Sequence, residues 1–89
     1  MSLININFID DQTETSLEVS PNSIMKDVLL TYLGKINAYK GTLDTNVYVF
    51  QLGKKVLNST KNINKTVEEL GLSTDCEIRF TRKEDRNYA

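Results

Sequence analysis

Apolar and polar residues alternate along "LININFI" (residues 3–9) and again along "TSLEV" (residues 15–19). Period two with β-branched side chains predicts two half-buried strands. Ile4, Ile6 and Phe8 share the inward face of the first; Leu17 and Val19 face inward on the second. The polar, acidic "DDQTE" (10–14) predicts the turn that joins them as a hairpin. Pro21 has no backbone donor for a ladder and stops the second strand. Asn22 or Ser23 is placed to cap a helix by accepting a bond from an orphan N–H. Met25, Val28, Leu29 and Tyr32 then recur at helical spacing, with Leu33 beside them. That spacing lays one apolar stripe along a helix of about three turns. Gly34 is the expected C-cap, because it enters the left-handed region without penalty.

The second half of the chain returns to strands. "KINAYKGTLDTN" (35–46) predicts a long connection, tacked down by Ile36, Tyr39 and Leu43. "VYVFQL" (47–52) predicts a strand, and Gly53-Lys54-Lys55 a turn into a short strand at Val56-Leu57. "NSTKNINK" (58–65) reads as a polar loop. "TVEELGL" (66–72) reads as one helical turn, with Thr66 and Glu69 at capping-box distance and Gly71 ending it. "CEIRFTR" (76–82) alternates with Ile78 and Phe80 inward and Glu77, Arg79 and Thr81 outward. The charged "KEDRNYA" (83–89) has no pattern and predicts a frayed end. The order is β-β-α-β-β-turn-β in one domain over residues 1–83, with 84–89 as a charged tail. It predicts an α+β fold with the helix across one sheet face.

Composition narrows the function classes. A chain of 89 residues buries roughly 60–65% of its unfolded surface. That allows one modest core and little depth for a catalytic cleft. The net charge of −1 gives no push toward nucleic acid or an anionic membrane. Residues 1–44 carry three lysines against six acids, and residues 45–89 carry eight bases against six acids. This mild asymmetry is read as a solvated surface. The basic strip of Arg79, Arg82, Lys83 and Arg86 near the C-terminus is read the same way. The chain contains no His and a single cysteine, Cys76. Ser–His and Cys–His pairs and His-based zinc sites are therefore excluded. Cys76 is expected to be a small, partly buried residue. Asp10, Asp11 and Glu14 are read as a turn, not a cation site, and Glu68 and Glu69 receive no catalytic role. No cofactor is expected. No basic leader with an apolar core opens the chain, and no apolar stretch is long enough to cross a bilayer. The expected location is the cytoplasm or the nucleus.

One stretch asks for an explicit choice. In "VYVFQLGKKVLN" (47–58) an apolar run meets Gly53-Lys54, as it does in a phosphate-gripping loop. Such a loop needs an earlier Gly, a hydroxyl after the Lys, and a following helix. Here Tyr48 stands at the first position, Lys55 at the second, and a strand follows. Gly53 is instead the left-handed or bulge position of a turn between strands.

"LEVSPNSIMKDVL" resembles the second strand, proline and helix start of ubiquitin. "YVFQLGKKV" resembles its central strand, glycine-lysine turn and next strand. "TVEELGLSTDCEIRF" is similar to its late helical turn and last strand. In that order these motifs span roughly residues 3–83 and resemble the ubiquitin-like β-grasp family. The resemblance implies a mixed sheet of about five strands grasping one helix. It also implies a non-catalytic protein-binding domain, with another protein as partner and neither nucleic acid nor a membrane, and a monomer when alone. The chain ends in "RKEDRNYA" and not in Gly-Gly, so conjugation is not implied unless the domain is made as a precursor; a small subunit of a larger assembly is the other reading.

The resemblance also places a candidate site. Counted back from Gly53-Lys54, Phe50 falls where ubiquitin carries the exposed Ile of its binding patch. Counted along the last strand, Arg79 falls at the His and Thr81 at the Val, and Lys54 falls at a chain-building lysine. If Val47 and Val49 face the core, Tyr48 and Phe50 face solvent beside Arg79 and Thr81. Aromatic and arginine side chains are enriched at interface cores. Tyr48, Phe50, Lys54, Arg79 and Thr81 are therefore the expected protein-binding residues. A register slip of one residue reverses that facing.

Overall fold

A computed structural model describes residues 3–11 and 13–83. The chain forms β1 (Ile4–Ile9), β2 (Glu14–Val19), α1 (Met25–Lys35), β3 (Tyr48–Leu52), β4 (Lys55–Val56) and β5 (Cys76–Arg82). The five strands make one sheet in the order β2-β1-β5-β3-β4. β1 runs parallel to β5, and the other pairs are antiparallel. The sheet is thus mixed, and the described chain is an α+β fold.

Directly paired residues share a sheet face, so the registers assign every side chain. Ile6 pairs Leu17 and Cys76, Phe8 pairs Ile78, and Phe50 pairs Phe80. These lie on the face that packs against α1, whose Met25, Val28, Leu29, Tyr32 and Leu33 are all buried. The Phe8 and Tyr32 rings stack at 4.2 Å between centroids, and Phe50 stacks on Phe80 at 4.8 Å. Tyr32 meets Phe80 edge-on at 5.4 Å. The core is therefore an aromatic layer between the helix and the three middle strands.

Both ends of α1 differ from the sequence expectation. Neither Asn22 nor Ser23 caps its start; the N-cap is Ile24, which offers no side-chain bond. The orphan N–H groups of Met25 and Lys26 donate instead to the carbonyls of Lys65 and Ile63, at 2.8 and 2.9 Å. Carbonyls from a distant loop satisfy the helix end as well as a capping side chain does. Gly34 lies inside the helix, and Asn37 takes the left-handed position at φ 57°. Asn37 N–H donates to Gly34 O, and Ala38 N–H to Leu33 O, which closes a Schellman turn. Asn tolerates the left-handed region through local hydrogen bonding, so the helix runs past its glycine.

The connection and loops are fixed by named contacts. Leu43 and Ala38 are buried, while Tyr39 remains 49% exposed and does not anchor the connection as expected. In the 66–72 turn, Glu69 N–H donates to Thr66 Oγ1 at 3.0 Å, and Thr66 N–H donates to Glu69 Oε1 at 2.8 Å. The capping box forms as the spacing predicts, although the segment stays a turn and not a helix. Val67 N–H donates to Ser23 O, and Glu68 N–H to Pro21 O. These bonds sew the late turn to the start of α1. The tail at 84–89 lies outside the described residues.

Candidate functional site

The facing of β3 is the reverse of the sequence expectation. Tyr48 and Phe50 are both 0% exposed, and Val47 and Val49 are only partly buried. Two physical terms decide it. Phe50 lies directly opposite Phe80, whose inward facing is fixed by the alternation of β5. An aromatic ring also offers far more apolar area to the core than a valine does. The polar tip of Tyr48 is accommodated, since its hydroxyl donates to the Ala38 carbonyl. Tyr48 and Phe50 are therefore core residues and cannot contact a partner directly. Arg79, Thr81 and Lys54 are exposed as expected.

The outward face is built by the intervening residues. One transverse row crosses all five strands as Glu14, Ile9, Arg79, Gln51 and Val56. Thr81 pairs Val49 in the next row, and Ser16, Asn7 and Glu77 form the row on the other side. Gln51, not Phe50, is thus the β3 residue beside Arg79. Two hollows lie on this face and meet at Gln51. One, of about 560 Å³, has Val49, Val56 and Thr81 in its wall with Lys83 at its end. The other, of about 290 Å³, is bordered by Ile9, Gly53, Glu77 and Arg79. Lys54 sits on the turn next to Gly53, whose φ of 62° suits the two-residue connection between Leu52 and Lys55. Lys54 borders neither hollow.

The expected basic strip is divided by the alternation of β5. Arg79 points to the outward face, whereas Arg82 pairs Tyr48 on the core side. Arg82 lies 5.4 Å over the Phe80 ring and 3.9 Å from the Asp10 carboxylate. Asp10 also holds its own turn, accepting the Thr13 N–H at Oδ1. Arg86 lies outside the described residues.

Sequence reasoning missed Asn58. It is 3% exposed, the one buried polar residue among those described. Its Nδ2 donates to Leu43 O at 2.8 Å and to Tyr48 O at 3.0 Å, and its Oδ1 accepts the Phe50 N–H at 3.2 Å. The side-chain amide thus pairs with β3 as a neighbouring strand would, just where β4 has ended. It also ties the long connection to the sheet. A lone Asn opening a polar loop carries no sequence signal for this role.

Two buried groups have shifted acidities. Burial pushes the Tyr32 phenol up to about 12; the Asp10 carboxylate adds to the rise and Arg82 opposes it. Among the described residues, the Tyr32 hydroxyl has no hydrogen-bond partner. Burial also pushes the Cys76 thiol up, away from the reactive thiolate. No group of three or more Cys, Asp or Glu among the described residues is placed to hold a metal ion. No helix among them is long and apolar enough to cross a membrane.

No protein-family model matches the sequence, and no curated protein matches it. Solved structures do match. The ubiquitin-like domain of yeast Ddi1 superimposes with a TM-score of 0.70 at 19% identity, covering 93% of this chain and 92% of that one. Ubiquitin of Caldiarchaeum subterraneum gives 0.71 at 15% identity, covering 91% and 94%. The ubiquitin-like domain of Plasmodium falciparum Dsk2 gives 0.69 at 12% identity, covering 90% and 97%. At such identities the likeness is one of fold. The chain has the ubiquitin-like β-grasp fold.

Proposed function

We propose that this domain is a non-catalytic interaction module that binds another protein through the outward sheet face. The contact centres on Arg79 and Thr81, with Val49, Gln51 and Val56 in place of the aromatics and Lys54 at the margin. The observation that carries the reading is the division of labour across the sheet. One face is sealed by α1, and the other is covered by no element among the described residues and carries two adjoining hollows at Gln51. The side chains there are methyls, amides and hydroxyls with the charges of Arg79, Lys83 and Glu77, which suit recognition of another protein. Tyr48 and Phe50 serve the site from beneath, as the layer that holds β3 and β5 in register. We take residues 1–83 as the module, a monomer acting in the cytoplasm or nucleus.

The test is a pull-down from lysate of the source organism, read by mass spectrometry. Wild type runs beside Val49→Ser/Arg79→Ala/Thr81→Ala, whose fold is checked by circular dichroism. Partners retained by wild type and lost by the variant are expected. Equal recovery by both refutes the assignment of the sheet face.

A further inference from the structure

The outward face is electrostatically bipolar. Glu14 and Glu18 stand on β2, and Glu77 stands on the outward side of β5. Farther along the middle strand come Arg79 and then, past its end, Lys83, whose N–H donates to Val47 O. Ile9 lies between Glu14 and Arg79, while Val49 and Val56 lie beyond Arg79 on β3 and β4, beside Thr81 and Gln51. Among the described residues neither Arg79 nor Lys83 forms an ion pair.

Resting on the sheet face as the binding surface, we propose that its partner is a bipolar peptide segment, carboxylate-bearing at one end and cationic at the other. The carboxylates meet Arg79 and Lys83; the Arg79 guanidinium presents a planar fork that matches a carboxylate with two parallel bonds. Small apolar side chains next to those carboxylates fill the hollow over Val49 and Val56, which Lys83 also borders. The cationic end meets Glu77 and Glu14. The charges set orientation, because the reversed segment places like charges together at both ends. A polyphosphate strand is disfavoured, since Glu77 stands two residues from Arg79 on the same face and borders the same hollow. A second copy of the chain is disfavoured by the small apolar area, because self-associating faces are richer in apolar surface.

The experiment is a titration of the ¹⁵N-labelled protein, followed by amide chemical shifts. The probes are synthetic peptides of about 12 residues with one Val/Ala pair next to the end that is acidic in the bipolar peptide: bipolar, wholly acidic, and neutral. The bipolar peptide should shift the amides of Val49, Gln51, Val56, Arg79 and Thr81. It should bind at least about tenfold more tightly than the neutral one, and several-fold more weakly at about 0.3 M salt than at about 0.05 M. Arg79→Glu/Lys83→Glu should cut its affinity at least about tenfold. Glu14→Lys/Glu77→Lys should reverse the order, so that the wholly acidic peptide binds best. Equal binding of the neutral peptide at the same amides overturns the charge assignment while leaving the sheet face as the interface. The proposal is also overturned if no peptide moves these amides, if oligothymidylate binds them more tightly, or if they shift with protein concentration alone. Loss of partners in the pull-down above reports on the face, and the peptide ranking reports on its chemistry, so the two failures are distinguishable.

Discussion

Replacing Asn58 by Ala tests whether one buried amide holds the β3 edge and the long connection together. The change removes three hydrogen bonds, at 2.8, 3.0 and 3.2 Å. It leaves Leu43 O, Tyr48 O and Phe50 N–H without their partner. An orphaned buried polar group costs about 1–3 kcal/mol. A hollow of about 480 Å³ between α1, the connection and the 58–64 loop is bordered by Leu43 and Asn58, so water can reach part of the gap. The expected loss is therefore near the lower end of the sum, about 3–4 kcal/mol. A domain of this size has a total stability of about 5–10 kcal/mol, and each kcal/mol moves Tm by about 4–8 °C. The melting point should fall by about 15–25 °C. Urea unfolding monitored by circular dichroism gives the free energy directly, with an unchanged m value showing that the denatured state is unaffected. Asn58→Asp keeps an acceptor for Phe50 N–H but sets a carboxylate against two carbonyl oxygens. It should be at least as damaging at neutral pH, and less so in acid, where a protonated carboxyl can donate. A loss below about 1 kcal/mol for Asn58→Ala refutes the argument, because water then replaces the amide at no cost.

Phe50→Ala should cost about 3–5 kcal/mol, because the ring is buried and stacked on Phe80; chemical denaturation that shows a near-neutral effect would return Phe50 to the surface. Tyr32→Phe should stabilise the domain by about 1 kcal/mol, since it deletes a buried hydroxyl with no partner among the described residues; a loss measured by calorimetry would reveal a bond to that oxygen. The folded Tyr32 phenol titrates at about 12, against an ordinary tyrosine value of 10.0. The folded state thus holds the proton more tightly, and its contribution is complete below pH 10 and is lost between pH 10 and about 12. Unfolding midpoints in alkaline buffers should fall over that window, and Tyr32→Phe should flatten the fall. Thr66→Ala should cost about 1 kcal/mol by removing the capping-box acceptor of Glu69 N–H; an unchanged urea midpoint would show that the turn is held by its tertiary bonds alone.

The order of strands and helix was legible in the chain because it depends on periodicity, which is a local property. Ile6 and Phe8, Leu17, the Met25 to Leu33 stripe, and Ile78 with Phe80 all carry their burial in the pattern of their own segment. The capping box of Thr66 and Glu69 is also local, with both partners three residues apart. The facing of "VYVF" is different. Both alternations in it are apolar, so the segment by itself is consistent with either face inward. The choice was made by Phe80 across the ladder, far away in sequence, and by the greater apolar area of two aromatic rings. The helix start was likewise decided at a distance, by carbonyls of Ile63 and Lys65, which no capping rule can anticipate. Asn58 became structural only because β4 stops after two residues and leaves part of β3 unpaired. The sequence thus determined which segments are strands and helix, since neighbours along the chain settle that. The tertiary structure alone decided which residues of β3 meet solvent, and so the identity of the candidate site, because a strand's two faces are distinguished only by what packs against them.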